Sequence, residues 1–385
     1  VTPILAAVLV AAHEAVGAFV KKNVSTEVSE NAIAALGRLA TNEDFTAVAD
    51  RIIQQLRSAS LAAPLALSAN RKWLGEKLAN PRLAKGVFGQ ALSPLETSDL
   101  PVLRRQNLVQ RLQEALLPPP QDKLIAVLGD EGNGKSWLVM KCWAEMPEPP
   151  ITLLLSAESF VGFEPSQGWN EFLVQKLQGQ TGDSDSESSK NRWLRRFDRW
   201  AMAPTPSSPR LLVIVDGVNQ RPGVEWSRVL DSLVPSVKAL GGCTVVTSRT
   251  QFFQTHIALR LYTPVDRHDV SQWTDSERDE ILNAKGLAAA SLNLEVAASL
   301  RNPRLLGVAL NLLSQDSLRN LQGLSPALLL FEYLRILDRD GSSSEQFRDK
   351  LQYHANTILA RVRANACDDL TVFKQLEPTA EGHFF

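Results

Sequence analysis

Short apolar runs alternate along this chain with longer stretches whose apolar residues recur every three or four positions. Leu124–Leu128 (LIAVL), Ile151–Leu155 (ITLLL), Leu211–Val215 (LLVIV) and Cys243–Thr247 (CTVVT) are too short for helices and predict buried strands. Leu259–Val265 predicts a last strand. Helical spacing over 137–143, Trp169–Leu177 and Val224–Leu240 falls between them, which implies an α/β fold with a parallel sheet and flanking helices. From Ser276 onward the pattern is helical: 277–284, 292–300, 304–313, 326–337 and 346–363.

Residues 1–95 also read as helical. Leu36, Leu39, Val48, Ile52, Ile53 and Leu56 keep the spacing, and Ser29, Asn42 and Ser68 are candidate caps. Residues 96–122 predict a linker helix through Leu108, Leu112 and Leu116, stopped by Pro118-Pro119-Pro120. The tract Thr181–Lys190 (TGDSDSESSK) predicts a polar loop.

Directly after the first strand stands Gly129-Asp130-Glu131-Gly132-Asn133-Gly134-Lys135-Ser136, which fits the phosphate-binding pattern G-x-x-x-x-G-K-[ST]. Strand, glycine loop and helix start is the arrangement that aims backbone N–H groups and a positive dipole end at a phosphate. Glycine permits the close approach, Lys135 can reach the terminal phosphates, and the Ser136 hydroxyl can take a place on Mg²⁺. The expected nucleotide contacts run from Gly129 through Trp137, with ATP or ADP and Mg²⁺ as cofactors.

Two strand-end residues complete the expected site. Asp216 closes Leu-Leu-Val-Ile-Val, where a carboxylate orients Mg²⁺ with Ser136; the alternative is an ordinary turn aspartate before Gly217. Arg249 closes the next strand, where a guanidinium can tell ATP from ADP; the alternative is a surface arginine.

The set GDEGNGKS, LLVIVDGVNQ, VVTSRT and RNPRLL resembles the STAND class of P-loop NTPases, which includes the NACHT and NB-ARC proteins. That resemblance makes Asp216-Gly217 the Walker B pair and Arg249 the strand-end arginine. It makes Asn302-Pro303 the proline motif that lies against the nucleotide, although Pro303 can equally start a helix after an asparagine cap. It implies a signalling switch that oligomerises in the ATP-Mg²⁺ state, clusters the N-terminal module and hydrolyses slowly. The setting implied is antiphage immunity or programmed cell death, with an unknown protein or ligand trigger. Gln220 departs from the class, which often has an acid there; an amide orients water but cannot act as a general base. The other reading is an AAA-type ATPase that remodels nucleic acid or protein. The domains expected are a helical module (1–95), a linker helix (96–122), a P-loop domain (123–270), a helical subdomain (271–325) and a truncated winged-helix-like region (326–385).

Composition adds limits. With 385 residues, 44% hydrophobic and 22% charged, the chain is an ordinary globular protein of several domains. A net charge of −1 disfavours, without excluding, a nucleic-acid partner. Cys142, Cys243 and Cys367 form no metal pattern and suit a reduced cytoplasmic protein. Ile4–Ala12 is too short to span a bilayer, and no later stretch is long enough. Arg192, Arg195, Arg196 and Arg199 share one helix face, beside Trp193, Phe197 and Trp200 on the next, which offers a basic surface to solvent, to an acidic partner, to a neighbouring subunit's phosphate or to nucleic acid.

Overall fold

The computed structural model describes residues 63–80, 83–84, 87, 105–182, 186–288, 292–314, 323–337 and 344–363. Ile4–Ala12, the apolar positions at 36–56, the caps Ser29 and Asn42, and Cys367 lie outside them. In chain order the elements are α1 (Ala63–Ala79), α2 (Gln106–Leu116), β1 (Leu124–Leu128), α3 (Lys135–Ala144), β2 (Ile151–Ser156), α4 (Trp169–Gln180) and α5 (Glu187–Met202). They continue with β3 (Leu211–Asp216), α6 (Trp226–Ala239), β4 (Gly242–Ser248), β5 (Val265–Asp269), α7 (Asp275–Ala284), α8 (Leu294–Ser299), α9 (Pro303–Ser314), α10 (Pro326–Leu337) and α11 (Ser344–Arg363).

The five strands form one parallel sheet in the order β2-β3-β4-β1-β5. The four apolar runs are β1 to β4, buried along nearly all their length as central parallel strands require. Helices α3 and α6 pack on β4, and Leu138, Val229, Leu233 and Val237 on these helices are buried, Val237 against Gly242. Burial pushes the Cys142 and Cys243 thiols up to about 12, which favours the protonated form of both.

The last strand differs from expectation. Leu259–Val265 is mostly coil, because Pro264 has no N–H to give a ladder and the Asp231 carboxylate takes the backbone N–H groups of Tyr262 and Thr263. The edge strand is Val-Asp-Arg-His-Asp instead, and it is more exposed than the rest. Lys123 pairs with Asp266 at 2.7 Å, and such charges protect an open edge from further pairing.

The chain divides into two compact units, 1–75 with 167–204, and 76–166 with 205–385. The expected span 123–270 is therefore interrupted, since α4 and α5 belong to the first unit. In that unit the Asn70 amide donates to the Gln180 carbonyl at 3.1 Å, and Trp193 and Phe197 are fully buried edge-to-face. Ser68 lies inside α1 rather than capping a helix, because the preceding residues are helical and Pro64 falls in the first turn. The polar tract ends sooner than expected: Ser186 caps α5, accepting from the Ser189 N–H at 3.2 Å. Arg196 leaves the basic face, because its guanidinium lies 4.1 Å over the Trp193 ring and is buried.

In the second unit, helices α7 to α10 share one core that includes Leu282, Leu300, Leu306, Ala309, Leu329 and Tyr333. That core continues across residue 325, where two domains were expected to meet. Before α2, Arg105 takes a left-handed backbone (φ 40°) and is nearly buried at its side chain. Its guanidinium donates to the Ser271 and Gln272 carbonyls at 3.1 Å and pairs with Glu277 at 3.2 Å. No helix among the described residues is long and apolar enough to cross a membrane.

Candidate nucleotide site

The glycine loop follows β1 at the carboxyl edge of the sheet and leads into α3. Gly132 and Gly134 take positive φ (80° and 88°), a backbone that other residues rarely adopt. Nothing stands within 4 Å of where a Cβ on Gly134 would be, so the positive φ rather than crowding is what calls for glycine there. A Cβ on Gly132 would instead collide with the Asn302 amide. Asn133 turns inward, and its amide donates to the Val270 carbonyl at 3.0 Å, which ties the loop to the exit of β5. Its side chain is thus an anchor rather than a phosphate contact.

Lys135 folds back over the loop, with Nζ 2.9 Å from the Gly129 carbonyl and 2.8 Å from that of Asp130. Burial lowers its pKa to about 8, although Glu131 and Asp216 oppose that shift. Trp137 is half-buried on α3, its ring 5.6 Å from the Lys141 ammonium.

Asp216 and Ser136 come together as the sequence predicts. The Ser136 hydroxyl donates to Asp216 Oδ1 at 2.6 Å. β4 lies between β3 and β1, so Thr247 stands between them and donates to the same oxygen at 2.7 Å. The Thr247 oxygen also accepts the Gly217 N–H at 2.8 Å. Burial raises the Asp216 carboxyl, and the two hydroxyls with Lys135 partly offset it. The hydroxyl and carboxylate fit a Mg²⁺ ion that also takes nucleotide oxygens, since Mg²⁺ seldom uses an all-protein cage. Among the described residues no cluster of three acidic, histidine or cysteine ligands exists.

The third arm of the site converges on Glu131. Arg249, at the end of β4, meets Glu131 Oε2 through Nε and Nη2, both at 3.0 Å. Asn219 fixes that corner by accepting the Arg249 backbone N–H at 3.1 Å. Arg304, near the start of α9, pairs with Glu131 Oε1, and the Tyr333 hydroxyl of α10 donates to the same oxygen at 3.2 Å. Burial alone would raise the Glu131 carboxyl, yet Arg304, Arg249 and Lys135 outweigh it and bring its pKa to about 2. Asn302 caps α9, accepting the Arg304 N–H at 3.0 Å while its amide donates to the Glu131 carbonyl at 2.6 Å. Pro303 is the first residue of α9, and the residues on either side of it touch the loop. Gln220 sits in the turn after β3, folded against Gly217.

Loop, strand-end carboxylate and sheet order decide the architecture. This is a P-loop NTPase fold.

No protein-family model and no curated protein matches the chain. Solved structures similar to the P-loop chain include Drosophila ORC bound to DNA, at 18% identity and a TM-score of 0.34, over 68% of this chain and 67% of that one. The Aeropyrum pernix ORC1 protein in complex with DNA is similar at 15% identity and a TM-score of 0.35, over 60% and 65%. Cdc6p from Pyrobaculum aerophilum is similar at 14% identity and a TM-score of 0.35, over 66% and 76%. The chain thus spans about two thirds of the first two structures.

Thr247, Asn219, Arg304 and Tyr333 were not among the residues expected from sequence. A hydroxyl at a strand end and an arginine after an Asn-Pro cap were the available signals, and neither is specific without the fold.

Proposed function

We propose that the chain is a nucleotide-driven ATPase of the AAA type, in which the third phosphate of ATP is felt by helices α7 to α10. The observation that carries this reading is the convergence of Arg249 and Arg304 on the glycine loop, one from the sheet and one from α9. Two guanidinium groups from different parts of one unit suit a terminal phosphate, whose charge they can stabilise as it is transferred. Lys135 is assigned to the β- and γ-phosphates, and Ser136 and Asp216 to Mg²⁺, which supplies charge neutralisation on the phosphate oxygens when bound. Gln220 is assigned to the attacking water. Residues 1–95 are assigned an adaptor or effector role, and activation is assigned to a homo-oligomer.

A second reading is the STAND-class signalling switch, with clustering in the ATP-Mg²⁺ state and an immunity or cell-death output. Gln220 favours it, because an amide supports slow hydrolysis rather than steady turnover.

One experiment separates the two. The purified protein is denatured, the released nucleotide identified, and ATP turnover measured with and without DNA. An empty site with turnover that DNA or a protein substrate stimulates supports the remodelling ATPase. Stoichiometric ADP with negligible turnover sinks it and leaves the switch. Lys135→Ala is the control that should abolish either outcome.

A further inference from the structure

The Glu131 carboxylate lies among three basic side chains at the glycine loop, Arg249, Arg304 and Lys135. It takes both nitrogens of the Arg249 fork at 3.0 Å, the Arg304 guanidinium and the Tyr333 hydroxyl, with Lys135 close enough to lower its pKa further. A carboxylate held by two arginines has much of the shape and charge of a phosphate oxygen pair held the same way. Lys135, which should meet the β-phosphate, is not bonded to Glu131 but to the Gly129 and Asp130 carbonyls. The groups that a diphosphate needs and those that Glu131 occupies are therefore different.

We infer that Glu131 is a specificity-determining residue: it stands in for the terminal phosphate, so that a nucleoside diphosphate binds beside it while a triphosphate must displace it from Arg249 and Arg304. This rests on the reading of the glycine loop as a nucleotide site. A ligand changes a preference only by binding two arrangements with unequal strength, and here the triphosphate alone competes for the two arginines. The displaced carboxylate loses its partners on α9 and α10, so the same exchange loosens the helical region from the loop.

The test compares ADP-Mg²⁺ with a non-hydrolysable ATP analogue and Mg²⁺, by calorimetry on the full chain, for wild type, Glu131→Gln and Glu131→Asp. Glu131→Gln keeps the shape and removes the charge, and should raise triphosphate affinity about tenfold relative to diphosphate, the equivalent of one charge-assisted bond. Glu131→Asp is too short to reach both arginines and should move the ratio the same way by a smaller factor; it also serves if the amide variant folds poorly. A ratio unchanged in both variants, or a selective loss of the triphosphate, overturns the inference while leaving the nucleotide site intact. If neither nucleotide binds the wild-type chain, the reading of the site itself fails and this inference with it.

Discussion

At the scale of single residues the site is a set of buried polar groups that complete one another. Thr247 shows this best: one hydroxyl donates to Asp216 and accepts from Gly217, joining the ends of two strands. Thr247→Val keeps the shape and removes both bonds. It should cost about 1–3 kcal/mol in a denaturant melt, the penalty for leaving buried partners unsatisfied. It should also weaken binding of Mg²⁺-nucleotide more than of nucleotide alone. Glu131 sets a pH window of its own. Its pKa is about 2 in the folded chain against 4.5 ordinarily, so between these values the unfolded chain binds the extra proton. Stability from its ion pairs is full above about pH 4.5 and is lost as the pH falls toward 2. About a third of the side chain (37%) meets water, which screens the pairs and keeps the effect small. Melts of wild type and Glu131→Gln should therefore differ at pH 7 and converge as the pH is lowered through this window; parallel curves would contradict the assignment.

At the scale of elements, the strands were legible wherever they are buried on both faces. Continuous apolar runs such as LLVIV have no other comfortable place, and β1 to β4 match them closely. The edge strand was not legible, because β5 carries three charged residues and a histidine in five, and the pull of Leu259 and Tyr262 pointed to the wrong segment. Helix starts in polar sequence were missed for a related reason: Ser186 looks like loop until its bond to the Ser189 N–H is seen. The first half of the site was written in contiguous sequence, from Gly129 to Ser136. Its second half was not, since Arg304 and Tyr333 reach Glu131 from about 170 and 200 residues away, and only packing of α9 and α10 brings them there. Helix α5 gives a prediction at this scale. Trp193 is wholly buried and carries Arg196 on its ring, so Trp193→Ala should destabilise that unit by about 3–5 kcal/mol in a thermal melt. Trp193→Phe should recover most of it.

At the scale of the molecule, the β-sheet unit holds its glycine loop and the helices α7 to α10 in one compact unit. Strands β1, β3 and β4 carry Lys135, Asp216 and Arg249 on the same edge, where parallel sheets place their ligands. Helices α7 to α10 add Asn302, Arg304 and Tyr333 from a core of their own. Arg105 fastens the start of α2 to the first residues of that helical region through two carbonyls and Glu277. A protease that cuts after arginine must draw this guanidinium into its own pocket, which it cannot do while the clasp is shut. Trypsin should thus cleave after the exposed Arg195 at least about tenfold faster than after Arg105. Glu277→Ala should narrow that gap, and a nucleotide that frees the helical region should narrow it as well. The bond that follows Arg105 is then a clock, its cleavage rate marking how often this part of the molecule opens.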